Sequence, residues 1–248
     1  MHETIKGLAA SAARLTDAVD RLTDAEVREP AALPGWTRAH AIAHIARSID
    51  AYLWLLALAR TGVEPGPRQT GAQIGQAVEE WAARPAAELA ADLADRVAVL
   101  LAAAEAMPED RWEYLVSALA GWRHPAWYTL LRARREIETH HVDLAVGYRP
   151  ADWPADYVTW ALDETLTALR AREFPLGRVT AADLGRSWEG SGGGVTVHGD
   201  GHALLAWLAG REPADALTTG ALTTGALTAD GPLPEPPSWP LPPTPGWN

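Results

Sequence analysis

The chain has 248 residues and contains no cysteine. This absence excludes disulfide bonds, a cysteine nucleophile and a thiolate metal site. Any thiol chemistry therefore needs a thiol that a separate molecule supplies. Lysine and phenylalanine are also scarce, with Lys6 and Phe174 as the single examples, whereas there are 12 tryptophans. Arginine in place of lysine, together with abundant alanine, is typical of a GC-rich bacterial coding bias and indicates no function by itself.

Long hydrophobic runs and a surplus of positive charge are also missing. No run of about 18 uncharged apolar residues is present, which predicts that no helix spans a membrane. Residues Met1–Thr4 lack the basic and then apolar pattern of a secretion signal, so we expect a cytoplasmic protein. The formal net charge of −11 argues against nucleic acid as a partner, because that binding depends on many Lys and Arg contacts with phosphates. An anionic substrate would need a local arginine cluster that overcomes this negative field.

Apolar residues recur at three- and four-residue spacing through most of the first 175 residues, which is typical of helices. Beyond that point the pattern changes to two strand-like segments and one short amphipathic helix. We therefore predict a mainly α fold, with a helical bundle over 1–175 and a small α+β domain over 176–248 that ends in a Pro-rich tail. Turn and capping residues divide the chain into predicted helices at about 3–22, 37–60, 70–106 (broken before Pro85), 124–147, 154–172 and 201–210, and strands at 178–184 and 194–199.

Glu136 and His140 are four residues apart on a predicted helix, so their side chains lie on the same face and could hold one divalent metal. His141 points about 100° away, so geometry selects His140 as the partner of Glu136. A His from another helix would complete a set of two His and one carboxylate with one coordination position open, as in catalytic metal sites. His44, surrounded by Ala and Ile, is either buried and satisfied or binds a ligand. His40 is equally well explained as a capping or solvent-facing residue.

Spacing alone leaves simpler explanations of the second cluster open. His140 and His141 could form a polar helix face, with His141 hydrogen-bonded near Asp143. Asp143 could instead accept a hydrogen bond from a metal-binding His, or it could form a surface ion pair.

Three segments, in order along nearly the whole chain, resemble motifs of the mycothiol-dependent maleylpyruvate isomerase family, a DinB-like group. They are Leu33–Asp50, Arg135–Tyr148 and Leu204–Arg211. The resemblance implies a DinB-like four-helix bundle at the N-terminus, paired with the small α+β domain. It also implies a divalent metal, usually zinc, bound by His44, Glu136 and His140, with His40 and His141 at positions that do not bind it.

The same resemblance implies a reaction. Mycothiol would supply the missing thiol, whose thiolate adds to the cis double bond of maleylpyruvate; rotation and elimination then give fumarylpyruvate. Arg211 matches an arginine of the family's active-site cleft and is our predicted catalytic residue, binding a substrate carboxylate. The alternative is that Arg211 only caps its helix after Gly210.

Two further functions stay open at this stage. The chain could be a mycothiol S-transferase that acts on an electrophilic xenobiotic or biosynthetic intermediate, or a carrier or regulator without enzymatic activity. The C-terminal region is short and its last strand is not readable, which leaves the far wall of the substrate site undefined. We expect a monomer, and we assign no thiol-binding residues.

Overall fold

A computed structural model describes residues 1–212 and 227–238, and the chain divides into two compact units, Met1–Tyr148 and Arg149–Asn248. The Pro-rich tail beyond residue 238 lies outside the described residues. The elements of the first unit are α1 (His2–Val19), α2 (Asp24–Val27), α3 (Arg38–Thr61), α4 (Gly71–Ala82), α5 (Ala86–Glu105), β1 (Leu115–Ser117), β2 (Arg123–Pro125) and α6 (Tyr128–Asp143).

Four long helices of the first unit form a bundle in which each helix packs against two others. Helix α1 contacts α5 and α6, and α3 contacts the same two helices from the other side. The apolar side chains between them are almost fully buried, for example Leu8, Ile45, Leu93 and Ile137. The predicted four-helix bundle is confirmed, and α4 adds to it by packing on the outside of α3.

Helix α3 is apolar around most of its circumference, because it contacts α4, α5 and α6 at once. Its length and composition would be sufficient to cross a membrane, and 56% of the relevant window is buried within the protein. A core helix of a soluble protein has the same properties, so this helix is weak evidence for a membrane span.

Helices α3 and α6 run antiparallel, and hydrogen bonds join the start of one to the end of the other. Arg38, in the first turn of α3, donates to the carbonyls of Leu144 (2.8 Å) and Ala145 (3.1 Å), which follow α6. The amide of Ala32 donates to the carbonyl of Asp143 at 2.8 Å. These bonds satisfy carbonyls that a helix end leaves without intrahelical partners, and they fix the axial position of α6 against α3.

A short antiparallel hairpin, β1–β2, precedes α6, in a segment where the sequence predicted no strand and where the predicted helix began at residue 124. Val116 pairs with His124, and both are buried. Strands of three residues are too short to show an alternating pattern, which explains why the sequence did not predict them.

The second unit contains α7 (Ala155–Ala171), β3 (Leu176–Ala181), β4 (Arg186–Glu189), β5 (Val195–Gly199), α8 (Gly201–Leu208) and β6 (Thr228–Ala229). Its sheet has the order β4-β3-β5-β6, with β3 and β5 parallel and the outer pairs antiparallel. Helix α7 packs against α8. The predicted α+β character is confirmed, and β4 and β6 are strands that the sequence did not reveal.

The division between the units differs from the predicted boundary after residue 175. Helix α7 makes its contacts with β4 and α8, so it belongs to the second unit and not to the bundle. Its apolar periodicity is the same as that of a bundle helix, and periodicity does not tell which neighbours a helix has.

Replacement of Glu138 by alanine should destabilise the bundle. Glu138 of α6 is 1% exposed; it pairs with Arg14 of α1 at 2.7 Å and accepts a hydrogen bond from Tyr148. We expect the free energy of unfolding to fall by about 3 kcal/mol, the lower end for a broken buried pair, because Arg14 reaches solvent. Urea unfolding followed by circular dichroism measures this change. Glu105→Ala, at an exposed position of α5, is the control, and equal loss in both variants would contradict the prediction.

Candidate metal centre

Two helices bring the three predicted ligands together. His44 projects from α3, and Glu136 and His140 project from α6. Glu136 Oε2 lies 3.3 Å from His44 Nε2 and 3.1 Å from His140 Nε2. One ligand atom from each residue lies within 4.8 Å of the other two, so the three form a single cluster. The imidazole rings meet edge to face, with centroids 4.7 Å apart.

Neighbouring side chains orient two of the three groups. Asp143 Oδ2 lies 2.8 Å from His140 Nδ1, so this carboxylate accepts the Nδ1 proton and directs Nε2 toward Glu136. The Tyr52 hydroxyl donates to Glu136 Oε1 at 3.3 Å, which leaves Oε2 facing the two imidazoles. Asp143 was among the sequence predictions, whereas Tyr52 was missed. The sequence feature that could have identified Tyr52 is its position two turns after His44 on the same helix.

The charges within the cluster shift the pKa values of its members. Burial disfavours the ionised form of Glu136, but hydrogen bonds and charge from His140 and His44 hold its pKa well below the usual range. Burial likewise opposes protonation of His140, yet the carboxylates of Asp143 and Glu136 raise its pKa to about 9. His140 is therefore protonated at neutral pH when no metal is bound.

The geometry and the donor types fit a divalent metal such as zinc. Ligand atoms bound at 2.0–2.2 Å to one tetrahedral ion are about 3.4 Å from each other, close to the separations of Glu136 Oε2 from the two imidazole nitrogens. Glu136 Oε2 is buried and faces the Nε2 atoms of both imidazoles. A buried carboxylate oxygen that faces two imidazole nitrogens is an arrangement that a cation satisfies. His44, Glu136 and His140 would hold it and leave one position open.

The two other histidines of these helices have structural partners. His40 Nδ1 lies 2.7 Å from the Thr37 hydroxyl and accepts the Thr37 amide at 3.2 Å, which caps the start of α3. Its Nε2 lies 3.3 Å from an oxygen of Glu79. His141 is buried and stacks on Tyr148, with ring centroids 3.9 Å apart. The capping explanation of His40 is therefore confirmed, and neither residue belongs to the cluster.

Arg211, the predicted catalytic residue, lies in the second unit, just after α8. Its Nη1 donates to the carbonyl of Ala209 at 2.8 Å, and its amide donates to the carbonyl of Ala206 at 2.9 Å. These bonds are those of a residue that closes the end of a helix, as the alternative explanation predicted. Its role toward a substrate stays a prediction.

Comparison with known proteins identifies the family. The family model described as the mycothiol maleylpyruvate isomerase N-terminal domain matches residues 8–145, more than half of the chain. The chain belongs to this family. The match includes all three residues of the metal cluster, and the predicted membership in a family of mycothiol-dependent isomerases is confirmed.

Two solved structures are similar to the chain over almost their full length. They are the crystal structures of the mycothiol-dependent maleylpyruvate isomerase and of a histidine-to-alanine mutant of that enzyme. Each has a TM-score of 0.83, 24% sequence identity and coverage of 96% of both chains. At this identity the similarity shows the fold alone, a helical bundle with a small C-terminal domain. No curated protein sequence matches the chain.

Loss of any one member of the cluster should abolish stoichiometric zinc binding. We expect His44→Ala to retain less than a tenth of the zinc of the wild type after dialysis, because two ligands remain where three are needed. Elemental analysis of the dialysed protein measures this. His40→Ala, one turn earlier on α3, is the matched control and should keep its zinc; equal loss in both variants would show that the cluster is not the site.

Zinc binding at pH 7 should release about one proton, because His140, with a pKa of about 9, is protonated before the metal arrives. Calorimetry in two buffers of different ionisation enthalpy counts this proton. Asp143→Asn removes a carboxylate that raises the pKa, so fewer protons should be released, and zinc affinity should fall about 10- to 100-fold. A site in which His140 is already neutral would release no proton, and that result would contradict the prediction.

Proposed function

We propose that the chain is a divalent-metal enzyme that uses mycothiol to convert maleylpyruvate to fumarylpyruvate. The observation that carries this proposal is the convergence of His44 Nε2, Glu136 Oε2 and His140 Nε2 in a member of this family. Imidazole and carboxylate ligands favour zinc, and the chain has no cysteine that could compete for it. A zinc ion held there would act as a Lewis acid and lower the pKa of an added thiol.

The residues around the cluster have defined tasks in this proposal. Asp143 and Tyr52 keep the ligand atoms of His140 and Glu136 in place. Arg211 would bind one carboxylate of the substrate, for which a planar guanidinium is well suited. The absence of cysteine from the chain leaves the external thiol as the single source of the sulfur nucleophile.

The proposed reaction needs no oxidant or reductant. The mycothiol thiolate forms a C–S bond with one carbon of the cis double bond, and the electron pair moves toward the conjugated keto group. The former double bond is now single and rotates. The C–S bond then breaks, the double bond returns in the trans geometry, and the thiolate is regenerated.

A mycothiol S-transferase is the second candidate function. The family model matches the unit that contains the metal cluster and stops at residue 145, before the second unit. A transferase would share that metal-binding unit and differ in the residues that receive the substrate. Cytoplasmic location, a monomeric state and the absence of a nucleic-acid or membrane partner stay predictions from the sequence.

Turnover of maleylpyruvate should depend on both zinc and mycothiol. We expect the maleylpyruvate absorbance to decay only when both are present.

Replacement of Arg211 by alanine should lower kcat/KM about 100-fold, because a charged hydrogen bond to the substrate is lost. Arg178→Ala, at an exposed position of the same unit, should behave as the wild type. No thiol-dependent rate would refute the isomerase. Equal activity of wild type and Arg211→Ala toward an uncharged electrophile, with no isomerisation, would identify the transferase.

A further inference from the structure

Two arginines of the first unit lie beside the metal cluster together with three aromatic side chains. We call this group the arginine cluster; its members are Arg68, Arg132, Tyr52, Trp54 and Trp122. Arg132 precedes Glu136 by four residues on α6 and His140 by eight, so all three side chains lie on one face of the helix. Tyr52 joins the two groups, because its ring lies under Arg132 and its hydroxyl contacts Glu136.

Arg132 is held in place without an acidic partner. Its guanidinium carbon lies 4.8 Å from the ring centroid of Trp122 and 5.1 Å from that of Tyr52. Its Nη1 donates to His124 Nε2 at 3.1 Å. No carboxylate within residues 1–212 and 227–238 forms an ion pair with it. The aromatic faces and one hydrogen bond therefore fix the guanidinium and leave its other N–H groups available.

The imidazole that holds Arg132 does not bring charge into the cluster. His124 is fully buried in the β1–β2 hairpin, and its Nδ1 donates to the carbonyl of Pro125 at 2.8 Å. Burial, with the nearby charges of Arg132 and Arg68, lowers the pKa of His124 to about 4. His124 is therefore neutral, accepts from Arg132 through Nε2, and acts as a fixed support for the guanidinium.

Arg68 adds a second positive charge from the loop before α4. Its Nη1 donates to the carbonyl of Ser117 at 2.7 Å, and its guanidinium carbon lies 5.2 Å from the ring centroid of Trp54. Burial, followed by the charge of Arg132, lowers the pKa of Arg68, whereas the charge of Glu64 raises it. Arg68 and Arg132 both contact the β1–β2 hairpin, Arg68 at Ser117 and Arg132 at His124. Its Nε is buried without a hydrogen-bond partner in the part of the chain that is described.

Neither guanidinium forms an ion pair within the part of the chain that the structure describes, which is unusual for partly buried cations in a chain with a net charge of −11 and 32 acidic residues. The arrangement costs free energy unless an anion neutralises it. The two tryptophans and Tyr52 lower the local polarity, which strengthens the attraction for such an anion. The cluster also meets the requirement for local positive charge that the acidic composition imposes on an anionic substrate.

We propose that Arg132 and Arg68 bind a carboxylate of the substrate one helical turn away from the metal ligands. This inference rests on the proposed function and adds to it the positions of a specificity-determining pair. Residues one turn apart have Cβ atoms about 5–6 Å apart, a distance that a short keto acid spans when its other end lies at the metal centre. The pair selects dianionic substrates over neutral electrophiles.

Binding of maleate to the zinc-loaded protein tests this site without mycothiol or turnover. We expect Arg132→Met and Arg68→Met to bind maleate about 10- to 100-fold more weakly than the wild type in calorimetry. Arg123→Met is the matched control, because Arg123 is an exposed arginine of the hairpin that Arg68 and Arg132 both contact, and it should bind as the wild type. Arg132→Lys, which keeps the charge, should recover part of the affinity.

Dimethyl maleate, which has the same shape and no charge, provides the second comparison, and its affinity should be the same in all variants. Zinc content and melting temperature are measured for each protein, to show that it is folded and metal-loaded. Arg68 lies in a loop, so Arg68→Met leaves intact the contacts of Arg132 with His124, Tyr52 and Trp122. Unchanged maleate affinity in both methionine variants would overturn the inference, as would equal loss in Arg123→Met. If maleate binding depends on the pair but maleylpyruvate is not converted, the proposed function fails and the carboxylate site stands.

Discussion

The antiparallel pairing of α3 and α6 is the constraint on which the site depends. Arg38 and the amide of Ala32 bond to carbonyls at the end of α6, so the two helices cannot slide past each other without losing these bonds. With the axial position fixed, His44 faces His140, and Tyr52, two turns further along α3, faces Glu136. A shift of one residue, about 1.5 Å, would separate the ligand atoms by more than a metal tolerates.

Helix α6 is polar in composition but mostly buried, and on each of two faces its polar side chains have partners on neighbouring elements. One face carries Arg132, Glu136 and His140 toward α3 and the hairpin. Another places Glu138 against Arg14 and Tyr148 in a closed hydrogen-bond network. Buried polar groups are tolerated only when they are paired, so the helix needs partners on both faces at once. The same network holds the helix rigid behind the metal ligands, and rigid support keeps ligand geometry accurate.

The sequence predicted the parts of the site that follow from local spacing. Glu136 and His140 share a face by the helix period, and the family motifs added His44. The role of Tyr52 and its contact with Arg132 depend on which helices are neighbours, and the periodicity of a sequence does not contain that information. The hairpin that holds His124 was missed because three-residue strands are too short to show an alternating pattern. Helix α7 was assigned to the bundle because its apolar periodicity is the same as that of a bundle helix.

The tryptophan next to the candidate metal ligands could serve as a built-in optical probe. The Trp36 ring centroid lies 5.2 Å from that of His44 and 6.3 Å from that of His40. Because a paramagnetic ion quenches indole emission at such short distances, binding of cobalt at the candidate metal centre would quench the fluorescence of Trp36. Metal binding could then be followed without a label, as a partial loss of emission above the background of the other 11 tryptophans.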